Sequence, residues 1–200
     1  MMDNNTTLGV ILCGGKSTRM GTDKGLLKLA STPWAQVAAD KMKALQIPVV
    51  LSINTAQLNE YSSFFDASIL IADDPQLDIY GPLRGVLSVH KCYPGKDLFV
   101  LACDMPLIDI SILQQLLEVY LNNKNFDSFI FSNEQEPEPV CGIYTSRALA
   151  QILRIFESGQ LAKHSLKFIL EQLNTLLTPL KEDQKKYFIN ANSPAALIGL

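Results

Sequence analysis

Short apolar runs rich in β-branched residues alternate along this chain with amphipathic segments, and that alternation constrains the fold more than any other feature. The runs 8–13 (LGVILC), 49–54 (VVLSIN), 68–73 (SILIAD) and 97–104 (DLFVLACD) are largely apolar and lack a regular polar face. Strands of that kind are covered on both sides, as in parallel sheets whose crossovers are helices. Between the first two lies 32–45 (TPWAQVAADKMKAL), with Trp34, Val37, Ala38, Met42 and Leu45 at a helical spacing. There Thr32 is the expected N-cap and Pro33 the first helical residue. Further helices are expected at 56–65, 81–93, 109–123 with Asp109 at its entry, 147–158 and 161–173. Strands are expected at 126–132 and 139–145 around the polar turn EQEPEP, and a last strand at 185–192 leads into a short helix, SPAALIGL. The pattern predicts an α/β fold with a mostly parallel central sheet. Two hundred residues without repeat, linker or low-complexity segment fit one domain, 1–200.

In such sheets ligands bind beyond the carboxyl ends of the strands, near a topological switch point. After the first run stands CGGKSTRMGTDKG, 13–25. It is not a P-loop, because Gly15-Lys16-Ser17 would need a glycine at position 10, which is Val10. The dinucleotide pattern fails as well, since Gly14 and Gly15 are adjacent. Even so, adjacent glycines let backbone N–H groups approach a phosphate, and Lys16, Arg19 and Lys24 stand against a single acid, Asp23. The alternative is a solvated basic loop.

The other strand ends offer Asn54, then Asp73 and Asp74, then Asp104, and finally Asn190 and Asn192. A carboxylate can accept from the N1–H and amino group of guanine, or cap the turn before Pro75; the sequence leaves both open. Asp104 ends a buried run, where an acid is costly unless it is paired or holds a metal such as Mg2+ together with substrate phosphates. Asn190 and Asn192 would share one face of a strand, able to hold phosphate or metal-bound water or to tie down a turn.

Several function classes are excluded. A net charge of -3 argues against general nucleic-acid binding. No uncharged apolar run approaches the roughly 18–20 residues needed to span a bilayer, and the polar start MMDNNTT lacks a secretory pattern, so a cytoplasmic protein without membrane contact is expected. Cys13, Cys92, Cys103 and Cys141 are far apart, giving neither a disulfide framework nor a zinc site. His90 and His164 both fall in expected helices without a ligand-spaced partner, and no Ser-His-Asp set can be assembled.

The stretch LCGGKSTRMGTDKGLL (12–27) resembles the signature of the molybdenum cofactor guanylyltransferases, the MobA-type nucleotidyltransferases. The resemblance continues in order through GPLRG (81–85), ACDMP (102–106), EPVCGIY (138–144) and YFINANSP (187–194), over nearly the whole chain. It implies a three-layer Rossmann-like nucleotidyltransferase fold. It also implies transfer of GMP from GTP to the terminal phosphate of molybdopterin carrying molybdenum, with Mg2+ as cofactor and release of pyrophosphate. Carried over by position, Gly14, Gly15 and Lys24 would hold the nucleotide phosphates, Arg19 would neutralise pyrophosphate, and Leu12 and Asn54 would line the nucleotide pocket. Asp74, or its neighbour Asp73, would read the guanine. Asp104 would bind Mg2+, and Asn190 and Asn192 would face the acceptor. Partners implied are GTP, molybdopterin or the molybdenum cofactor, and transiently the proteins that insert the cofactor or chaperone molybdoenzymes. Arg84, Glu138 and Ala195-Ala196 depart from the family pattern. The alternatives are a same-fold enzyme using CTP or a sugar phosphate, and a non-catalytic binder of molybdopterin or GTP.

Overall fold

A computed structural model describes residues 6–14 and 23–188. Its centre is a sheet of seven strands: β1 (Thr7–Leu12), β4 (Val49–Ile53), β5 (Leu70–Ala72), β6 (Asp97–Ala102), β7 (Ser128–Asn133), β8 (Glu136–Tyr144) and β9 (Thr175–Pro179). Their spatial order is β5-β4-β1-β6-β8-β7-β9. Every pairing is parallel except those of β8, which runs against both β6 and β7. Two minimal strands, β2 (Lys28–Leu29) and β3 (Thr32–Pro33), form a separate hairpin.

Alternate side chains of the buried strands feed opposite faces of the sheet. Ile11, Leu51, Phe99 and Leu101 pack on one side with α1 (Trp34–Ala44) and α4 (Ile110–Asn122). Val10, Leu12, Val50, Leu98 and Val100 pack on the other with α3 (Pro82–Cys92), α5 (Ser146–Glu157) and α6 (Leu166–Leu170). The result is three layers with a mostly parallel sheet, as expected. A further short helix, α2 (Leu58–Tyr61), follows a 3-10 turn at Thr55–Gln57.

The chain builds outward from β1 to β4 and β5, and α3 then carries it back across to β6 on the other side of β1. That reversal is the switch point. It is held tightly at the strand ends, where Cys13 N–H and Gly14 N–H donate to the Ser52 carbonyl at 2.9 and 3.2 Å, and Cys103 N–H donates to the Leu12 carbonyl at 3.1 Å.

Some expectations are corrected. Helix α1 starts at Trp34 with Pro33, not Thr32, at the N-cap position and no side-chain cap, while Thr32-Pro33 pair with Lys28-Leu29. The polar turn shrinks to Glu134-Gln135, both at positive φ (48° and 73°), so Glu136–Pro139 join β8. Proline is tolerated there because β6 pairs only with Cys141–Tyr144, leaving Pro137 and Pro139 outside the stretch hydrogen-bonded on both sides. The expected helix over 161–173 is only α6, capped by Ser165, and His164 therefore lies in a loop. The edge beside β7 is taken by β9, and residues 182–188 wind into a 3-10 helix rather than a strand. Residues 189–200, with the rest of that strand and the last helix, lie outside the described residues.

Candidate active site

The cleft at the switch point encloses about 640 Å3 and is bounded by the carboxyl ends of β1, β4 and β5 and the start of α3. Leu12, Gly14 and Asn54, which the resemblance assigns to the nucleotide, line it. Asn54 is also built into the backbone, capping the Thr55–Gln57 turn: its Oδ1 accepts from Gln57 N–H at 3.2 Å while Gln57 Oε1 accepts from Asn54 N–H at 2.7 Å. Gly81 opens α3 at φ 74°, a left-handed conformation suited to glycine, and Pro82 follows at the first helical position.

The adjacent acids Asp73 and Asp74 part company. Asp74 turns out of the cleft: its carboxylate accepts from Lys91 Nζ and from Gln76 N–H, and its N–H donates to Ser88 Oγ at 2.8 Å. The bond to Lys91 is the main cause holding its carboxyl below the usual range. Asp73 lines the cleft instead. Burial pushes its carboxyl up, and the nearby Arg84 charge offsets part of that rise. The candidate base-reading acid therefore moves from Asp74 to Asp73. The cause is tertiary: Ser88 and Lys91 of α3 claim Asp74.

Lys24 and Asp104 are 80 residues apart in sequence and meet at 3.1 Å, Nζ to Oδ2, with side chains 27% and 21% exposed. A pair this accessible adds at most about 1 kcal/mol to stability, so its placement matters more for a ligand than for the fold. What aims Lys24 is Asp23, whose carboxylate accepts from Tyr61 OH at 2.7 Å, from Gly25 N–H at 2.9 Å and from Gln57 Nε2. Gln57 Nε2 also donates to the Cys13 carbonyl at 3.1 Å. One amide thus ties together the end of β1, the end of β4 and the turn that carries Lys24. Gly25 has no alternative here, because a Cβ would collide with the Tyr61 hydroxyl. Sequence reasoning counted Asp23 only as a charge and missed Gln57 and Tyr61. The Asp-Lys adjacency was the one visible signal.

On the far side of Asp104, Lys41 Nζ of α1 donates to the Pro106 carbonyl at 2.5 Å, and burial pulls this amine down to about 8 against a partial offset from Asp109. Asp109 caps α4 as expected. Tyr80, 72% exposed on the rim of the cleft, stacks on His164 with centroids 5.9 Å apart. Glu138 is half-buried, and burial raises its carboxyl. The expected site residues Gly15, Arg19, Asn190 and Asn192, and Lys16 with them, lie outside the described residues.

Among the described residues no group of three or more His, Cys, Asp or Glu side chains could cage a metal. Mg2+ is usually held by one or two carboxylates and completed by phosphate oxygens and water. Asp104, partly exposed beside a cation, can supply one such carboxylate. Among the described residues no helix is long and apolar enough to cross a membrane.

A glycine-and-lysine loop, a strand-end acid and a cleft at the switch point of this sheet define a nucleotidyltransferase. The chain belongs to the MobA-like NTP transferase family, whose domain matches residues 9–176. It is 29% identical over 183 residues to the molybdenum cofactor guanylyltransferase of Campylobacter jejuni strain RM1221, covering 92% of this chain and 89% of that protein. It is 28% identical to a molybdenum cofactor biosynthesis bifunctional protein of Synechocystis, covering 93% of this chain but spanning about half, 51%, of that longer protein. The crystal structure of molybdopterin-guanine dinucleotide biosynthesis protein A from Archaeoglobus fulgidus superimposes with a TM-score of 0.74 at 23% identity, over 96% of this chain and 95% of that one. Enzymes of this family generally use a divalent metal.

Proposed function

We propose that this protein transfers GMP from GTP to the terminal phosphate of molybdopterin carrying molybdenum, forming the guanine dinucleotide cofactor and releasing pyrophosphate. The observation that carries this reading is the Lys24–Asp104 pair at the switch point, beside a cleft with a half-buried acid, Asp73, and a cation, Arg84, on its wall. The relatives named for guanylyl transfer support the choice of nucleotide and acceptor.

An oxygen of the acceptor phosphate attacks the α-phosphorus of GTP, and the bond from that phosphorus to the bridging oxygen of the β-phosphate breaks. The nucleophile is already an anion, so no general base is required, and catalysis rests on positioning and charge neutralisation. Leu12, Gly14 and Asn54 seat the nucleoside and its phosphates, and Asp73 accepts from the guanine edge. Lys24 leaves Asp104 for the triphosphate, joined by Gly15, Lys16 and Arg19 of the loop. Asp104 would hold Mg2+, which supplies Lewis-acid polarisation of the α-phosphate when bound. The resemblance assigns Asn190 and Asn192 to the acceptor side.

The test is to supply GTP, ATP, CTP or UTP with Mg2+ and molybdate-loaded molybdopterin, and to measure pyrophosphate and the dinucleotide product. Turnover with GTP alone is expected. Turnover with CTP or with a sugar phosphate acceptor would replace this reading with a relative's chemistry, and GTP binding without turnover would mark a binding protein.

A further inference from the structure

Arg84 sits one turn into α3 where its side chain reaches the cleft wall beside Asp73. Its guanidinium is not loose. Nε and Nη2 both donate to the Asp74 carbonyl, at 3.3 and 3.1 Å, and among the described residues its hydrogen bonds run from these two nitrogens only. The Asp74 carbonyl is itself fixed, because that residue's N–H is bound by Ser88 and its carboxylate by Lys91. The chain thus spends one acid on holding a cation in place and leaves the neighbouring acid facing the cleft.

We infer that Arg84 and Asp73 together read the guanine, Asp73 accepting from N1–H and the 2-amino group while the Nη1 edge of Arg84 donates to O6. This rests on the proposed use of GTP and adds a second, chain-specific determinant to it. Guanine presents donors and an acceptor side by side on one edge, which suits a carboxylate next to a guanidinium. Adenine reverses both positions: its 6-amino group would face Arg84, and its N1 lone pair would face Asp73. A desolvated carboxylate left against an acceptor is penalised far more than a missing contact. Asp73 therefore supplies rejection of adenine, and Arg84 supplies both affinity for the 6-oxo group and a counter-charge near the Asp73 carboxylate.

The experiment measures equilibrium binding of GTP, ITP, 2-aminopurine riboside triphosphate and ATP by calorimetry, in the presence of Mg2+, to the wild type and to Arg84→Met, Arg84→Lys and Asp73→Asn. ITP keeps the 6-oxo group and lacks the 2-amino group; the 2-aminopurine nucleotide does the reverse. Arg84→Met should weaken GTP and ITP by roughly ten- to a hundredfold, while the nucleotides without a 6-oxo group change little. Arg84→Lys, which keeps the charge but cannot form the same fork on the Asp74 carbonyl, should fall between. Equal weakening of all four nucleotides by Arg84→Met would make Arg84 a phosphate contact and overturn the inference, as would unchanged GTP affinity in both Arg84 variants. In either case wild-type preference for GTP would leave the proposed reaction standing. A wild type that does not prefer GTP would overturn both.

Discussion

Strand β6 carries an aspartate near each end, and the two have opposite surroundings. Asp97, its first residue, is saturated by neutral donors of the fold: Tyr120 OH donates at 2.6 Å to one oxygen and the Ser146 N–H at the start of α5 donates at 2.7 Å to the other. Asp104, two residues past the other end, meets Lys24 across a partly exposed ion pair. An acid whose acceptors are filled by backbone and phenol groups cannot be released without leaving those donors unpaired, so it belongs to the architecture. An acid held by a flexible ammonium can exchange that partner for a ligand. Near the Asp104 end, Lys41, whose amine burial lowers, bonds to the Pro106 carbonyl two residues further on.

The contrast can be broken by substitution. Asp104→Ala should have the largest effect, lowering guanylyl transfer about 10²–10³-fold with little change in thermal midpoint; wild-type turnover in this variant would remove Asp104 from the chemistry. Lys24→Ala should cost about 10²-fold in kcat and clearly more than Lys16→Ala under the same saturating GTP. A larger loss at Lys16 would reverse their assigned roles. Asp97→Ala should do the opposite of Asp104→Ala. It should cost about 1–3 kcal/mol in urea unfolding because Tyr120 OH and Ser146 N–H lose their acceptor, while kcat/KM of the folded fraction holds.

A further prediction is a pH dependence. The Lys41 amine titrates near 8 in the folded protein and near 10.5 in the unfolded chain. Between these values the unfolded chain binds the extra proton, so stability rises with pH across that window. The urea midpoint of the wild type relative to Lys41→Met should therefore increase between pH 8 and pH 10. A fall would show that the Pro106 carbonyl and Asp109 hold the ammonium more firmly than burial disfavours it.

Asp23 sharpens the same comparison from within the site. It lies next to Lys24 in sequence, yet its partners Tyr61, Gln57 and Gly25 make it resemble Asp97 more than Asp104. Closeness to the chemistry does not make an acid a ligand; the nature of its partners does.

Local pattern was enough to locate β1, β4, β6, α3, α4 and α5, because fully buried runs and one-sided amphipathic segments carry their own period. The rule that ligands gather at strand ends pointed to Gly14, Asn54 and Asp104 without reference to any contact, and the resemblance added Leu12. Edges and ends were less legible. Strand β9 is short and half-covered, so its residues lack both the continuous apolar run and the clean alternation that mark a strand. Residues 185–188, the start of the expected last strand, fall in a 3-10 helix, while β9 occupies the edge beside β7. The choice between Asp73 and Asp74 could not be made in sequence at all, since the two are identical and adjacent. It was settled by Ser88 and Lys91, 14 and 17 residues further on, arriving on one face of α3. Sequence pattern thus determined which segments are buried and where the strands end, because these depend on periodicities within a few residues. Only the packed chain decided which of the two acids is bound within the fold and which lines the cleft, because that depends on donors brought in from distant segments.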